Sequence, residues 1–192
     1  MIVFNVVLKF SLCIIKKMIN KLIQNIHIES NIKIAIDIMK QAADWRVSKG
    51  FTLGDTWQVQ NINLEYLIRA YNATPDNFIV MFVNDNPIMT CILQDYDTRD
   101  TWPIADDNKK YYYISKLAVY PKYRGNGFAD LFLNQIKRMA IQKKFDGIRL
   151  DVGAKQTGLL KLYVRNEFEK VGMLHSERTN SDWVLYEWNT RV

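Results

Sequence analysis

The chain of 192 residues is 48% hydrophobic and 24% charged, ordinary globular material long enough for one well-buried core. Its net charge of +6 and pI near 9.2 come from scattered basic residues, not from Arg/Lys runs interleaved with aromatics, which argues against a nucleic-acid binder and suits an anionic cofactor equally well. The two cysteines, Cys13 and Cys91, form neither a CxxC motif nor a disulfide framework, so they read as reduced, mostly buried thiols of a cytoplasmic protein, and neither looks catalytic.

The opening "MIVFNVVLKFSLCIIKK" is almost uniformly apolar, but Lys9 interrupts it, no basic segment precedes it, no small-residue cleavage site follows and it is short for a membrane span. Residues 1–17 are expected to be an appendage, disordered or an artefact of start-codon choice, with a peripheral membrane helix as the alternative; residues 18–192 are expected to form one domain without stable membrane insertion. A strand over residues 23–29 is an optional first element. Ser30 is the expected N-cap of a helix whose apolar positions Ile32, Ile36, Met39, Ala43 and Val47 recur at helical spacing, ending before Gly50. Asn63 caps a shorter helix through Tyr71.

"FIVMFV" (78–83), the turn "NDNP" and "IMTCILQ" (88–94) predict an antiparallel hairpin. Residues 95–110 are polar and carry Pro103, which predicts a loop, and "YYYISKLAVY" (111–120) predicts a long strand stopped by Pro121. A helix opening at Gly127 carries the stripe Phe128, Leu131, Phe132, Gln135, Ile136 and Met139, with Lys143 and Lys144 near its negative end. Asp146-Gly147 turns the chain into the short strand "IRLDV" (148–152), the helix "TGLLKLYVRN" (157–166) and two closing strands, "FEKVGMLHSER" and "DWVLYEW". The order contains a strand–helix–strand crossover across the two glycines, which predicts a mixed sheet with helices on both faces.

Gly125 and Gly127 lie where the long strand meets the central helix. A helix beginning at Gly127 presents unpaired backbone N–H groups and the positive end of its macrodipole, and glycines let an anion reach them without meeting a Cβ. Phosphate or pyrophosphate is the natural guest, with Lys122 and Arg124 at the rim and Arg124 able to bind it bidentately. The same glycines also fit a tight strand-to-helix turn with no ligand. No GxxxxGK[ST] is present, and the third glycine and downstream acid of a dinucleotide fingerprint are lacking.

"LAVYPKYRGNGFADLFL" resembles motif A of the GCN5-related N-acetyltransferases (GNAT), Gln/Arg-x-x-Gly-x-Gly/Ala, with Arg124, Gly127 and Ala129 at the three defined positions. The resemblance implies an α/β (α+β) fold with a mixed, mostly antiparallel sheet of six to seven strands. It further implies that Arg124, Gly125, Asn126, Gly127, Phe128 and Ala129 cradle the pyrophosphate of acetyl-CoA, while the backbone of Leu117, Ala118 and Val119 bonds its pantetheine arm. "QTGLLKLYVRNEF" resembles the family's Asn-x-x-Ala-x-x-Leu-Tyr-x-x-x-Gly-Phe: Gln156 stands for Asn as a cofactor contact, Leu159 for Ala, and Glu167-Phe168 for Gly-Phe. Tyr163 then occupies the position of the tyrosine that protonates the departing thiolate; read by itself it is a core tyrosine on an amphipathic helix. "AADWRVSKGFTLGDTW" resembles the family's segment over the acceptor pocket, which makes Trp57 a substrate-binding candidate and leaves Trp45, on the helix, to core packing.

The chemistry implied is transfer of an acetyl group to a primary amine of a small molecule, peptide or amino-sugar, the alternative being a catalytically inactive acetyl-CoA-binding regulatory module. No carboxylate sits on the long strand, so deprotonation is expected through water and backbone groups or a nearby acid such as Asp151, which also fits a solvent-facing strand residue. No metal site is expected: His27 and His175 lie far apart and read as surface or edge-strand histidines. The run Asp95, Asp97, Asp100, Asp106 and Asp107 reads as a solvated loop, away from the acceptor pocket in the family's topology. The acceptor pocket is expected from residues 48–62 and 175–183, and pairing through the closing strands would make a homodimer.

Overall fold

The computed structural model describes residues 25–52, 54, 57–97, 102, 108–177 and 180–190. Strand β1 (Ile26–Ser30) leads into helices α1 (Ile32–Ser48) and α2 (Leu64–Tyr71), then strands β2 (Phe78–Val83), β3 (Asn86–Gln94) and β4 (Tyr111–Val119). Helix α3 (Phe128–Gln142), strand β5 (Gly147–Gly153), helix α4 (Thr157–Arg165) and strands β6 (Glu169–Ser176) and β7 (Ser181–Asn189) complete the order. The seven strands form one sheet in the order β1-β2-β3-β4-β5-β7-β6. Every neighbouring pair is antiparallel except β4 and β5, which α3 connects as a parallel crossover.

Side-chain alternation divides the sheet into two cores. Phe78, Val80 and Phe82 face α1 and α2, packing with Ala35, Ile38, Met39, Ala42 and Leu67. Ile79, Met81 and Val83 face α3 and α4, packing with Phe132, Leu133, Ile136, Ala140 and Leu162. A strand buried on both faces has no need of a polar stripe, and "FIVMFV" is buried throughout. The β2–β3 connection is two residues, Asn84 and Asp85, both left-handed at φ 47° and 61°, the backbone whose twist matches that of the flanking strands. β3 therefore starts at Asn86, two residues ahead of the expected boundary at residue 88.

The start of α1 corrects the expected cap. Ser30 is still paired in the sheet, opposite Ile79, and its hydroxyl donates to the Asp76 carbonyl at 2.6 Å. Asn31 takes the N-cap position instead, accepting from the Ile34 N–H at 3.2 Å. The buried face of α1 is also rotated from the expected one: Ala35, Ile38, Met39, Ala42 and Ala43 are buried, while Val47 is 54% exposed. Three alanines on that face bring the helix close to the sheet. Asn63 caps α2 as expected, accepting from Tyr66 N–H at 2.9 Å.

His27 lies on edge strand β1, stacked 4.8 Å from Phe82, and His175 lies on edge strand β6. Cys91 is fully buried; Cys13, the opening 17 residues, Pro103, Asp100, Asp106 and Asp107 lie outside the described residues. Among the described residues, no helix is long and apolar enough to cross a membrane.

Candidate functional site

The sheet opens at its centre. β4 pairs with β5 from Tyr111–Gly147 through Ile114–Leu150, then the pairing stops, although β4 runs on to Val119 and β5 to Gly153. The cause is local to β4, where a β-bulge against β3 falls after Ser115 and Lys116 takes a left-handed φ of 55°. A bulge bends its strand and increases the twist, so the end of β4 is carried away from β5. Ala118 and Val119 remain paired with Thr90 and Met89 of β3, Leu117 lies in the bulge, and none of the three has a β5 partner on the other edge, leaving main-chain groups for a bound chain.

Beyond Val119 the chain makes a 3-10 turn over Pro121–Tyr123 and enters α3 through Arg124, Gly125, Asn126 and Gly127, all exposed. Gly125 and Gly127 have φ of 79° and 77°, and a Cβ built on either meets no atom within 4 Å. No packing inside the protein forbids a side chain at these two positions; the backbone conformation and the open space over the turn are what glycine serves. Leu131 donates the first helical bond to the Gly127 carbonyl, at 3.2 Å, so the amides of Gly125 through Ala129 lie ahead of the helical ladder. An exposed row of amides at the positive end of a 15-residue helix fits an oxyanion such as a diphosphate.

Two ties hold this turn to α1. Tyr120 donates its hydroxyl to Asp37, and the Arg124 guanidinium lies 3.7 Å from the centre of the Trp45 ring. Trp45 is thus half-buried under a cation, not a core residue as its helical position suggested.

Helix α4 closes the other side of the opening. Gln156 precedes its first turn, and its side-chain amide folds over Gly153 at the end of β5. Tyr163 is 3% exposed, its ring packed 5.8 Å from both Phe168 and Tyr186. Among the described residues none hydrogen-bonds its hydroxyl, while no buried side-chain polar atom is left without a partner, so the oxygen retains access to open space. Burial pushes its pKa up, and Asp151 and Cys91 push it further.

The end of α4 fixes that ring. Phe168 N–H bonds the Tyr163 carbonyl and Glu167 N–H bonds the Val164 carbonyl, both at 3.0 Å, with Glu167 left-handed at φ 61°. This is a Schellman end with the residue-to-residue apolar contact that accompanies it, Phe168 on Tyr163. A glycine would be unstrained there; glutamate holds the same backbone. Helix α3 supports it from below: Asp130 accepts from Arg165 at 2.7 and 2.9 Å and from Asn166 at 2.7 Å, and buried Lys137 bonds the Asn166 carbonyl.

On the opposite face of the opening stands a polar and aromatic group that sequence patterning only half revealed. "IRLDV" alternates, so Arg149 and Asp151 share one face while Ile148, Leu150 and Val152 join the core of α3 and α4. Arg149 donates to Glu187 at 2.7 Å and lies 3.7 Å from the centre of the Tyr111 ring and 4.8 Å from that of Trp102. Above it a cavity of about 10 Å³ is bounded by residues including Tyr113, Ser115, Arg149 and Asp151, and by Tyr96, Asp97 and Trp102 of the β3–β4 connection. That volume is about one water. The connection expected to be remote thus borders Asp151. Trp57 sits under the buried Lys116 ammonium, 4.2 Å from the ring centre, with the Arg46 guanidinium carbon at 5.9 Å. A larger groove of about 520 Å³ lies at the far end of the sheet, lined by Glu29, Asp76, Asp95 and Lys143 among others, and shares no residue with the turn.

Of the candidates from sequence, the structure brings Leu117, Ala118, Val119, Gln156 and Tyr163 to the borders of one opening, with the 124–129 turn at its mouth and Trp57 on the α1 face. Arg46, Lys116, Arg149 and Glu187 were missed; only the alternation of Arg149 with Asp151 signalled any of them.

Known proteins place this arrangement in a family. The model of the acetyltransferase (GNAT) family matches residues 40–168. A GNAT-family acetyltransferase structure from Listeria monocytogenes aligns with TM-score 0.64 at 16% identity, covering 86% of this chain and 95% of that one. Ard1 from Thermoplasma volcanium aligns with TM-score 0.61 at 14% identity over 87% and 99%, and Arabidopsis thaliana NAA60 in complex with acetyl-CoA with TM-score 0.58 at 16% identity over 86% and 100%. At these identities the structures testify to the fold alone. No curated protein matches the sequence. The family model spans more than half of the chain and contains the glycine turn, the sheet opening and Tyr163, and on that ground the chain belongs to the GNAT family of acetyltransferases.

Proposed function

We propose that this protein is an acetyl-CoA-dependent N-acetyltransferase that acetylates a primary amine on a small molecule, an amino-sugar or a peptide. The observation that carries it is the exposed turn at Gly125 and Gly127, with room over both, placed at the mouth of the β4–β5 opening. The cosubstrate supplies an activated acetyl thioester. The amides of Gly125 through Ala129 hold its diphosphate, Arg124 adds charge, Leu117, Ala118 and Val119 offer main-chain bonds to its arm, and Gln156 closes the β5 side. Holding the thioester in place is itself worth several kcal/mol of barrier, up to roughly 7–11 for ideally aligned groups.

Tyr163 acts as the acid toward the departing sulfur. Its proton is retained at working pH because burial disfavours the phenolate, and the same burial pushes up the neighbouring Cys91 thiol, so a thiolate released there also becomes a stronger base. Asp151 takes the amine's proton through a water in the cavity it shares with Ser115 and Tyr113. Trp57 borders the acceptor. The test is thiol release against a panel of amines: turnover with the wild type that collapses in Tyr163→Phe supports the enzyme, whereas coenzyme binding without turnover on any amine defeats it in favour of a binding module.

A further inference from the structure

Lys137, on α3, is a charged residue that the fold buries and the chemistry above does not use. It is 7% exposed, and lysines are almost never that deep unless partners engage the charge. Its ammonium donates to the carbonyl of Asn166, directly after α4, at 2.5 Å. It also lies 5.4 Å from the centre of the Phe168 ring and 4.9 Å from that of Trp188 on β7. The Glu167 carboxylate is 3.4 Å away but 71% exposed, which makes it a minor partner for a buried charge. A cation at this place meets the negative end of α4. The same corner holds Tyr163: Phe168 N–H bonds the Tyr163 carbonyl at 3.0 Å and the two rings pack at 5.8 Å. Tyr186, two residues before Trp188 on β7, packs on Tyr163 at the same distance. Lys137 and Tyr163 therefore share Phe168, and each has a ring of β7 beside it.

We propose that Lys137 is a positioning residue for Tyr163, holding Asn166 and Phe168 so that the phenol keeps one orientation. The proposal rests on the acid role of Tyr163 argued above. Packing alone does not call for a lysine at this place, because exchanging a buried charge for an apolar side chain of similar volume is often neutral or stabilising. What the charge adds is direction: a hydrogen bond to one carbonyl and attraction to the faces of two rings fix how the last turn of α4 meets α3 and β7. The Glu167 side chain is not part of this hold, since it reaches the ammonium from solvent.

The test is a double-mutant cycle on the full-length protein: wild type, Lys137→Met, Tyr163→Phe and the double variant, with Lys137→Arg as the conservative change. Thiol release with the most active amine of the panel gives kcat and KM, and calorimetry gives acetyl-CoA affinity. Lys137→Met is expected to lower kcat about tenfold, with the amine KM and acetyl-CoA affinity within about twofold of wild type, and Lys137→Arg to recover part of the loss. In the Tyr163→Phe background, Lys137→Met should lower kcat by less than about twofold further, because no phenolic proton is left to aim. A full tenfold further loss in that background would show that Lys137 acts on something other than Tyr163 and overturn the proposal. A Lys137→Met enzyme with kcat within twofold of wild type would overturn it as well. Should Lys137→Met fail to fold, Lys137→Gln carries the same cycle with the same expectations. Wild-type turnover in Tyr163→Phe defeats the acid role itself, a failure distinguishable from the other two.

Discussion

The turn before α3 and the end of α4 hold residues in the same left-handed backbone, Gly125 and Gly127 at φ 79° and 77° and Glu167 at φ 61°, yet only one corner keeps glycine. At the end of α4 the bonds from Glu167 and Phe168 close on the helix's own last carbonyls, and the glutamate side chain, 71% exposed, points away with Lys137 at 3.4 Å. At the turn, the amides of Gly125 through Ala129 lie ahead of the helical ladder and the space over the glycines is empty. Left-handed backbone alone is therefore a cost of order 1–2 kcal/mol that a charged residue can bear. What distinguishes the turn is the open space over it.

The contrast is sharpest between Tyr163 and the turn, because the two should fail in different steps. Tyr163→Phe is expected to lower kcat about a hundredfold to a thousandfold with acetyl-CoA affinity within twofold of wild type. Stopped-flow thiol release with parallel calorimetry reads both, and an equal loss of affinity would merge the two roles. Gly127→Ala is expected to weaken acetyl-CoA about tenfold or more while costing about 1 kcal/mol of stability, checked by calorimetry and urea denaturation. Unaltered affinity would mean that the empty space over the turn serves no ligand.

Asp130→Asn loosens the α4 corner alone. The Arg165 hydrogen bond, partly opposed by burial, holds the Asp130 carboxyl below the usual range. A depressed folded-state pKa gives stability that is present above the unfolded value near ~3.9 and is lost as pH falls through the folded one. Asp130→Asn should therefore cost about 1 kcal/mol at pH 7, discounted for partial exposure, and the deficit should disappear in acid. Urea midpoints at pH 7 and below pH 3 check it. Smallest of all, Glu167→Gly should raise stability by about 0.5–1 kcal/mol and leave kcat and coenzyme affinity unchanged, since relief of the left-handed φ outweighs a mostly exposed ion pair. A destabilised variant would show that the Lys137 contact, and not backbone strain, rules that corner.

The strands and the glycine turn were legible because each is written in neighbouring residues: "FIVMFV" and "YYYISKLAVY" in composition, the 124–129 turn in glycines after a proline-stopped strand. The boundary errors have local competition as their cause. Ser30 and Asn31 are both good caps, and only the pairing of Ser30 with Ile79 removes one of them. Trp45 fits a core stripe by spacing, and only the arrival of Arg124, 79 positions later, turns it into a platform for a cation. The polar face of the opening was illegible for the same reason, since Arg149 needs Glu187 from β7 and rings from β4 to be buried.

Periodicity and turn chemistry, which act over a few residues, thus determined the elements, the crossover and the anion-suited corner. Where β4 leaves β5, what packs around the Tyr163 ring and which ring Arg124 meets depend on contacts between residues tens of positions apart. Those contacts are set by how the two cores pack on one sheet, and no local pattern encodes that packing.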